Sequence, residues 1–173
     1  MIDDRIVGLE IGTRPDCITE EIAKLLKTYT KKYYVCVELG LQTSNDKIGE
    51  ILHRDYTSKQ FTEAVEILNR YGIDVVAHMM IGLPKETKED ILETVHFINQ
   101  HKVQGIKIHS TYVVENTILA EMYRKGEYTP LELDDYIEDL IDVMTHLRPD
   151  IIVHRISGDA PKQLLVAPYW NKH

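Results

Sequence analysis

Residues 57–84 read T-S-K-Q-F-T-E-A-V-E-I-L-N-R-Y-G-I-D-V-V-A-H-M-M-I-G-L-P. Thr57-Ser58-Lys59-Gln60 has the form of a capping box, which opens a helix running to Tyr71. Gly72 stops that helix, because glycine takes the left-handed conformation that ends a helix without steric cost. Ile73 to Ile81 then reads as a strand, and Gly82-Leu83-Pro84 as a turn. The same helix-to-strand unit recurs on both sides. Upstream, Arg5 to Ile11 is a short strand and Thr19 to Tyr33 a helix, with Ile22, Leu25, Leu26 and Tyr29 on one face. Tyr34 to Leu39 is a buried strand, and a short helix covers about Asp46 to Leu52. Downstream, Thr87-Lys88-Glu89-Asp90 opens a helix to about His101, and Gly105 to Ser110 is a strand. Ile118 to Lys125 is a short helix ending at Gly126. Thr129-Pro130-Leu131-Glu132 predicts another helix start, running to about Leu147 before Pro149. Ile151 to Arg155 is the last strand. From Ser157 the chain reads as loop, ending Ala167-Pro168-Tyr169-Trp170.

Strand–helix alternation of this kind implies an α/β fold with a parallel sheet and crossover helices. Right-handed crossovers leave two closures, an open doubly wound sheet or an arc of a TIM-type barrel. No linker or low-complexity tract divides residues 1–173, which read as a single domain. Five strands do not close an eight-stranded barrel. An incomplete barrel carries raw edges, here near Ile6 and Val7, and such an edge predicts self-association.

Composition narrows the class. The chain has 173 residues, 43% hydrophobic and 28% charged, with a formal net charge of -8. That balance suits a globular domain and argues against a broad basic face for nucleic acid, while leaving a local basic groove open. No apolar run approaches a membrane span of roughly 20 residues, and Met1-Ile2-Asp3-Asp4-Arg5 is unlike a signal peptide. The expected setting is cytoplasmic, with no membrane partner. Cys17 and Cys36 are far apart, two thiols do not fill a four-ligand metal site, and both are expected to be reduced and buried.

In parallel α/β folds the site lies at the C-terminal ends of the strands. The residues there are Thr13, Arg14 and Asp16 after the first strand, and Glu38 and Gln42 on and after the second. His78, Gly82, Leu83 and Pro84 close the third, His109 the fourth, and His154 and Arg155 the last. Each has a structural alternative. Arg14 and Asp16 could pair with each other, Gly82-Leu83-Pro84 could be a plain turn, and His78 could be a satisfied core histidine. Glu38 alternates with buried Val35 and Val37, so it needs a partner or a ligand. Their joint placement on one rim favours a ligand site. Three function classes fit: a cofactor-dependent enzyme, a non-catalytic half-barrel that binds a nucleotide, and a TIM-type hydrolase or aldolase with His109 or Glu38 as base. The last lacks an evident catalytic lysine or metal triad at consecutive strand ends.

In order, these segments resemble the radical S-adenosylmethionine (SAM) enzymes. Val37-Glu38-Leu39-Gly40-Leu41-Gln42-Thr43-Ser44 is similar to the family's ExGxQS strand, and Arg54 follows Gln42 by twelve residues as in its L-x-R element. Met79 to Thr87 resembles the GLPGET segment, with Lys85 where glycine is usual. Ile11-Gly12-Thr13-Arg14-Pro15-Asp16-Cys17 resembles the third-strand end of the Elongator catalytic-subunit-like branch. Gly105 to His109 with Val113-Val114, and the tail from His154 to Trp170, resemble its YhcC/YtqA-like group. The resemblance implies a partial (β/α) barrel arc with helices on its outer face, truncated at the N-terminal side, in strand order following sequence order. It implies that the intact enzyme cleaves SAM reductively at a 4Fe-4S cluster, with tRNA as a possible substrate. It also implies a cofactor role for Thr13, Arg14, Glu38, Gln42, Arg54, His78, Gly82, Leu83 and Pro84: Arg54 for the SAM carboxylate, Gln42 and Glu38 for ribose hydroxyls or the sulfonium side, His78 for ribose, and the Gly82 backbone for adenine. Asp16, His109, His154 and Arg155 fall on the substrate side. The family's CxxxCxxC cluster loop does not occur in this sequence, so the chain alone is expected to bind neither cluster nor SAM tightly, and to be inactive.

Overall fold

A computed structural model of the chain describes residue 3 and residues 5–160 and 162–172. The reading of Met1, Ile2 and Asp4 lies outside the described residues. The elements are β1 (Gly8–Thr13), α1 (Glu20–Tyr29), β2 (Tyr34–Gln42), α2 (Asp46–Ile51), α3 (Ser58–Arg70), β3 (Asp74–Ile81), α4 (Lys88–Asn99), β4 (Gly105–Ser110), β5 (Val113–Val114), α5 (Ile118–Arg124), α6 (Leu133–His146), β6 (Ile152–Arg155) and β7 (Leu165–Ala167). Among the described residues, five strands form one parallel sheet in the order β1-β2-β3-β4-β6. Spatial order thus follows sequence order, as a barrel arc requires.

Alternation sorts each strand between two environments. Val35, Val37, Leu39 and Leu41 of β2, Val75, Ala77, Met79 and Ile81 of β3, and Ile106 and Ile108 of β4 face the helices. There they join Ala23 and Leu26 of α1, Phe61, Ala64, Val65 and Leu68 of α3, Ile91, Val95 and Ile98 of α4, and Tyr136 and Val143 of α6. The intervening residues, Glu38 and Gly40, His78 and Met80, Lys107 and His109, face the concave side. Three of the helices that cover the core, α1, α3 and α4, start on side-chain caps at Thr19, Thr57 and Thr87, the last two as full capping boxes.

Several boundaries differ from those read in the sequence. The first strand runs from Gly8 to Thr13 rather than from Arg5 to Ile11, because it pairs with β2 only over that register. Helix α1 stops at Tyr29, not Tyr33. Thr129-Pro130 does not open a helix. Residues 128–132 take no regular structure, Glu132 itself being extended, and α6 starts at Leu133 without a side-chain cap. Tertiary anchors hold this stretch: Tyr128 Oη donates to the Gly82 carbonyl at 2.7 Å, and Trp170 Nε1 donates to the Leu131 carbonyl at 3.0 Å. Proline also disfavours the helical conformation at Thr129 before it. The tail is not all loop, since β7 pairs antiparallel with β5. Cys36 is buried as expected, but Cys17 is exposed, on a single 3-10 turn at Pro15–Cys17.

The β2 exit is fixed from below by Arg54, whose side chain is 3% exposed. Its Nε donates to the Tyr56 carbonyl at 2.9 Å, and Nη1 to the Leu41 and Thr43 carbonyls at 2.8 and 2.6 Å. Nη2 meets Asp46 Oδ1 at 2.5 Å. Asp46 also accepts from the Ser58 backbone N–H at 2.7 Å, tying α2 to the start of α3. A lysine has no fork to reach three carbonyls and a carboxylate together. Arg54→Lys should therefore lower the unfolding free energy by about 3 kcal/mol, the scale for breaking a buried, fully bonded charge. Urea denaturation checks this, and a loss below about 1 kcal/mol would assign the guanidinium to the surface class.

Candidate functional site

Glu38 sits mid-strand on the concave face, with its side chain 12% exposed. A carboxylate there needs partners, and adjacent strands supply them. Lys107 Nζ of β4 binds Oε1, and His78 Nε2 of β3 lies 2.8 Å from Oε2. Burial would raise the Glu38 carboxyl, but the hydrogen bonds from Lys107 and His78 outweigh it and hold it below the ordinary range. Burial lowers His78 in spite of Glu38. His78 is therefore a neutral ring that donates Nε2–H to a carboxylate, which leaves Nδ1 as an acceptor.

The His109 ring lies beside His78, with centroids 5.3 Å apart and planes inclined at 32°. Its Nδ1 side is closed by Gly158, where an added Cβ would come within 2.6 Å of that nitrogen. Nε2 is buried and has no hydrogen-bond partner. Burial, then the fields of His78, Arg155 and Lys107, pull His109 down to about 4, so it is uncharged near neutrality. A buried orphan nitrogen on the wall of a hollow marks a place where a water or a ligand group gains a bond.

Gln42 completes the rim. The β2–β3 register shifts between Gly40 and Gln42, and Gln42 takes φ 61°, a left-handed conformation uncommon for a residue with a side chain. Tyr56 Oη lies 2.7 Å from both the Gly40 carbonyl and the Gln42 side-chain oxygen. One end of the Gln42 amide is thus held. Gln42, His78, Met80, His109, Ser110 and Tyr112 line one cavity of about 280 Å³ at the C-terminal ends of β2, β3 and β4. A larger hollow of about 570 Å³ lies outside the sheet between α3 and the end of α4. Its histidine, His101, has both nitrogens engaged, by Thr62 and the Phe97 carbonyl, so it offers no comparable chemistry.

The remaining rim residues are placed differently. Arg54 does not reach this cavity. Its donors are bound to backbone carbonyls and Asp46, so it shapes the Gln42 turn instead of presenting a free fork. The Gly82 backbone is not exposed for a ligand either. Its N–H and that of Leu83 donate to Glu86 Oε2 at 2.8 and 3.0 Å, and its carbonyl is taken by Tyr128. Gly82 has φ 84°, which requires glycine, and Pro84 is buried in the same turn. Lys85 has φ 65°, which accounts for the glycine usual at that position. Arg14 and Asp16 pair with each other at 2.9 and 2.8 Å, with Arg14 also above the Tyr56 ring. Thr13 ends β1, the strand beside β2, and does not line the cavity. His154 and Arg155 are exposed on edge strand β6, where Arg155 adds positive field at His78 and His109. Lys107 was not singled out from the sequence. Its signal was its alternation with Ile106 and Ile108, which puts it on the same face as His109.

Two groups near the rim titrate in opposite senses. His109 has a folded value below its unfolded 6.5, so its contribution is present above pH 6.5 and lost as pH falls toward about 4. Glu86 is the converse case: burial raises it from 4.5 to about 7, so its contribution is present below 4.5 and lost as pH rises through 7.

 The wild-type profile combines the two, so each shows in a difference from its own variant. The stability advantage of wild type over His109→Phe should shrink by on the order of 2 kcal/mol between pH 6.5 and pH 4, after allowance for solvent screening. The difference between wild type and Glu86→Gln should move against wild type as pH rises from 4.5 to 7. Urea denaturation across pH reads both, and a flat difference in either pair would remove that group from the account.

Comparison with known proteins places the chain in a family. Residues 2–98 match the model of the Radical SAM superfamily, and residues 103–173 match the Radical_SAM C-terminal domain. The uncharacterized protein YtqA of Bacillus subtilis is 36% identical over 97% of this chain and 52% of its own length. A tRNA uridine(34) acetyltransferase of Dehalococcoides mccartyi is 32% identical over 94% of this chain and 36% of its own. The structure of archaeal Methanocaldococcus infernus Elp3 superposes with a TM-score of 0.76 at 28% identity, over 92% of this chain and 38% of that one. The chain therefore spans about half the length, or less, of the relatives it matches. With its parallel arc, its outer helices and a family model covering more than half of its residues, the chain belongs to the radical SAM superfamily.

Proposed function

We propose that this chain supplies the SAM-binding side of a radical SAM barrel, in a cytoplasmic enzyme that in intact form cleaves SAM reductively and acts on tRNA. One observation carries the reading: Gln42 and His78, from adjacent strands, line a single cavity at the strand ends, with His78 oriented by Glu38. A neutral imidazole acceptor and a half-held amide are suited to ribose hydroxyls. The uncharged His78 also avoids repelling a sulfonium. Arg54 serves here by holding the β2 exit, and the Gly82 turn, its polar backbone groups taken by Glu86 and Tyr128, serves by shaping the end of β3. His109, His154 and Arg155 lie further along the rim, on the side assigned to substrate. The tRNA part of the reading rests on the resemblance to tRNA uridine(34) acetyltransferases. Among the described residues, no helix is long and apolar enough to cross a membrane.

The cluster does not fit this chain. Among the described residues no group of three or more histidine, cysteine or acidic side chains could hold a metal ion. Cys17 and Cys36 lie apart, one exposed and one buried. We assign the cluster's ligands to parts of the intact enzyme outside this chain. Self-association belongs to the same proposal. At one end of the arc Val7, Leu9, Leu25 and Tyr29 are exposed, and at the other Ile137, Ile141 and Ile152. Apolar groups beside unpaired strand edges favour association of copies.

In the full-length protein, Gln42→Ala and His78→Ala should each weaken SAM binding at least tenfold, about 1.4 kcal/mol. Thr62→Ala, on the outer surface, should leave it unchanged. Equilibrium dialysis with labelled SAM measures this, and unaltered binding in both rim variants would sink the assignment. Binding without cleavage of SAM under reducing conditions would favour the non-catalytic nucleotide-binding reading instead.

A further inference from the structure

We propose that Lys107 is a positioning residue of the rim: by holding the Glu38 carboxylate it keeps His78 neutral, with Nδ1 a hydrogen-bond acceptor toward a ligand that carries positive charge. The inference rests on the SAM reading for the identity of that ligand, but the side-chain arrangement stands by itself. Three neighbouring strands bring the groups together. Register pairs His78 of β3 with Gly40 of β2 and with Lys107 of β4, which places the histidine between the carboxylate strand and the lysine strand. Glu38 is bound by Lys107 at one oxygen and by His78 at the other, at 2.8 Å. All three side chains are largely buried, at 12%, 16% and 26% exposed for Glu38, Lys107 and His78.

One buried carboxylate balances one cation. With a single basic neighbour, the carboxylate would draw a proton onto the imidazole and form an ion pair. Lys107 takes that place, binding the Glu38 oxygen that His78 does not. A second positive charge on His78 would then face Lys107 on β4 and Arg155 on β6, with the neutral His109 ring beside it. The four groups facing His78 are thus one anion, its committed cation, an exposed cation at the sheet edge and an uncharged ring. The Nε2–H donated to Glu38 sets the tautomer, and Nδ1 is left without a proton. Removing Lys107 transfers its role to His78, which becomes an imidazolium and changes from acceptor to donor.

The first test needs no ligand and uses this chain. The His78 Cε1–H resonance is followed against pH by NMR in wild type, Lys107→Met and Lys107→Arg. The His78 midpoint should rise by at least one pH unit in Lys107→Met and stay near wild type in Lys107→Arg. Lys107→Met in a Glu38→Gln background should produce no such rise, because the anion that draws the proton is gone. Lys107→Gln replaces Lys107→Met if the latter does not fold. An unchanged His78 midpoint on loss of Lys107, or an equal rise without Glu38, would overturn the role. In the full-length protein, SAM binding by Lys107→Met should weaken at least tenfold below the raised midpoint and recover above it. A normal NMR result with pH-independent binding would leave the tuning intact and count against SAM as the charged ligand, so the two readings fail separately.

Discussion

A carboxylate on the concave face of a parallel sheet, largely out of water, must be met by side chains from the strands on either side. Glu38 imposes that condition here. Its two oxygens fix Lys107 and His78, and through the His78 ring the position of His109 beside it. Three strands are thereby coupled by polar contacts on one face, while their other faces are coupled by an apolar core. Such a network in a low-dielectric setting is stable only when its members are satisfied. The one conspicuous exception, His109 Nε2, adjoins the cavity.

The strand exits are built on a different principle. Their turns adopt left-handed backbone conformations, costly at Gln42 and free of steric cost at Gly82, and each is held by a largely buried side chain that binds main-chain groups. Gln42 is left-handed at a register shift, and Arg54 grips the carbonyls on both sides of it. Gly82 is left-handed at the end of β3, and Glu86 collects the two N–H groups that follow from the turn. Strain of this kind persists where surrounding structure over-determines it. Two residues that would be read as ligand contacts from their charge or position are thereby structural supports for the residues that line the cavity.

The arc also shows what an open barrel costs. Its middle layer, between β2, β3 and β4 and helices α3 and α4, is completely packed, with Phe61, Leu39, Met79 and Ile98 inaccessible to solvent. The layers at its ends are not: β1 and β6 each lack a neighbour on one side within the described residues, and apolar side chains near both remain exposed. The candidate site lies at the well-packed centre, where strand positions are most closely constrained.

The alternation of apolar strands with capped helices determined the element order, the parallel sheet and the rim on which the polar residues gather. These follow from local periodicity and capping, which depend on residues a few positions apart. The same alternation put Glu38, Gln42 and His78 on one face. Tertiary structure alone decided which of the rim's polar residues line one cavity. Arg54 carries the charge of a ligand-binding residue, yet its donors are consumed by carbonyls at Leu41, Thr43 and Tyr56. Thr129-Pro130-Leu131-Glu132 carries a helix-start pattern, yet the stretch is non-helical, with Tyr128 bonded to the Gly82 carbonyl and the Leu131 carbonyl to Trp170. Lys107 reads as an isolated charge in an apolar strand until β2 and β3 bring Glu38 and His78 beside it. In each case the deciding contact joins residues distant in the chain, and no local pattern encodes which partner a buried polar group will find.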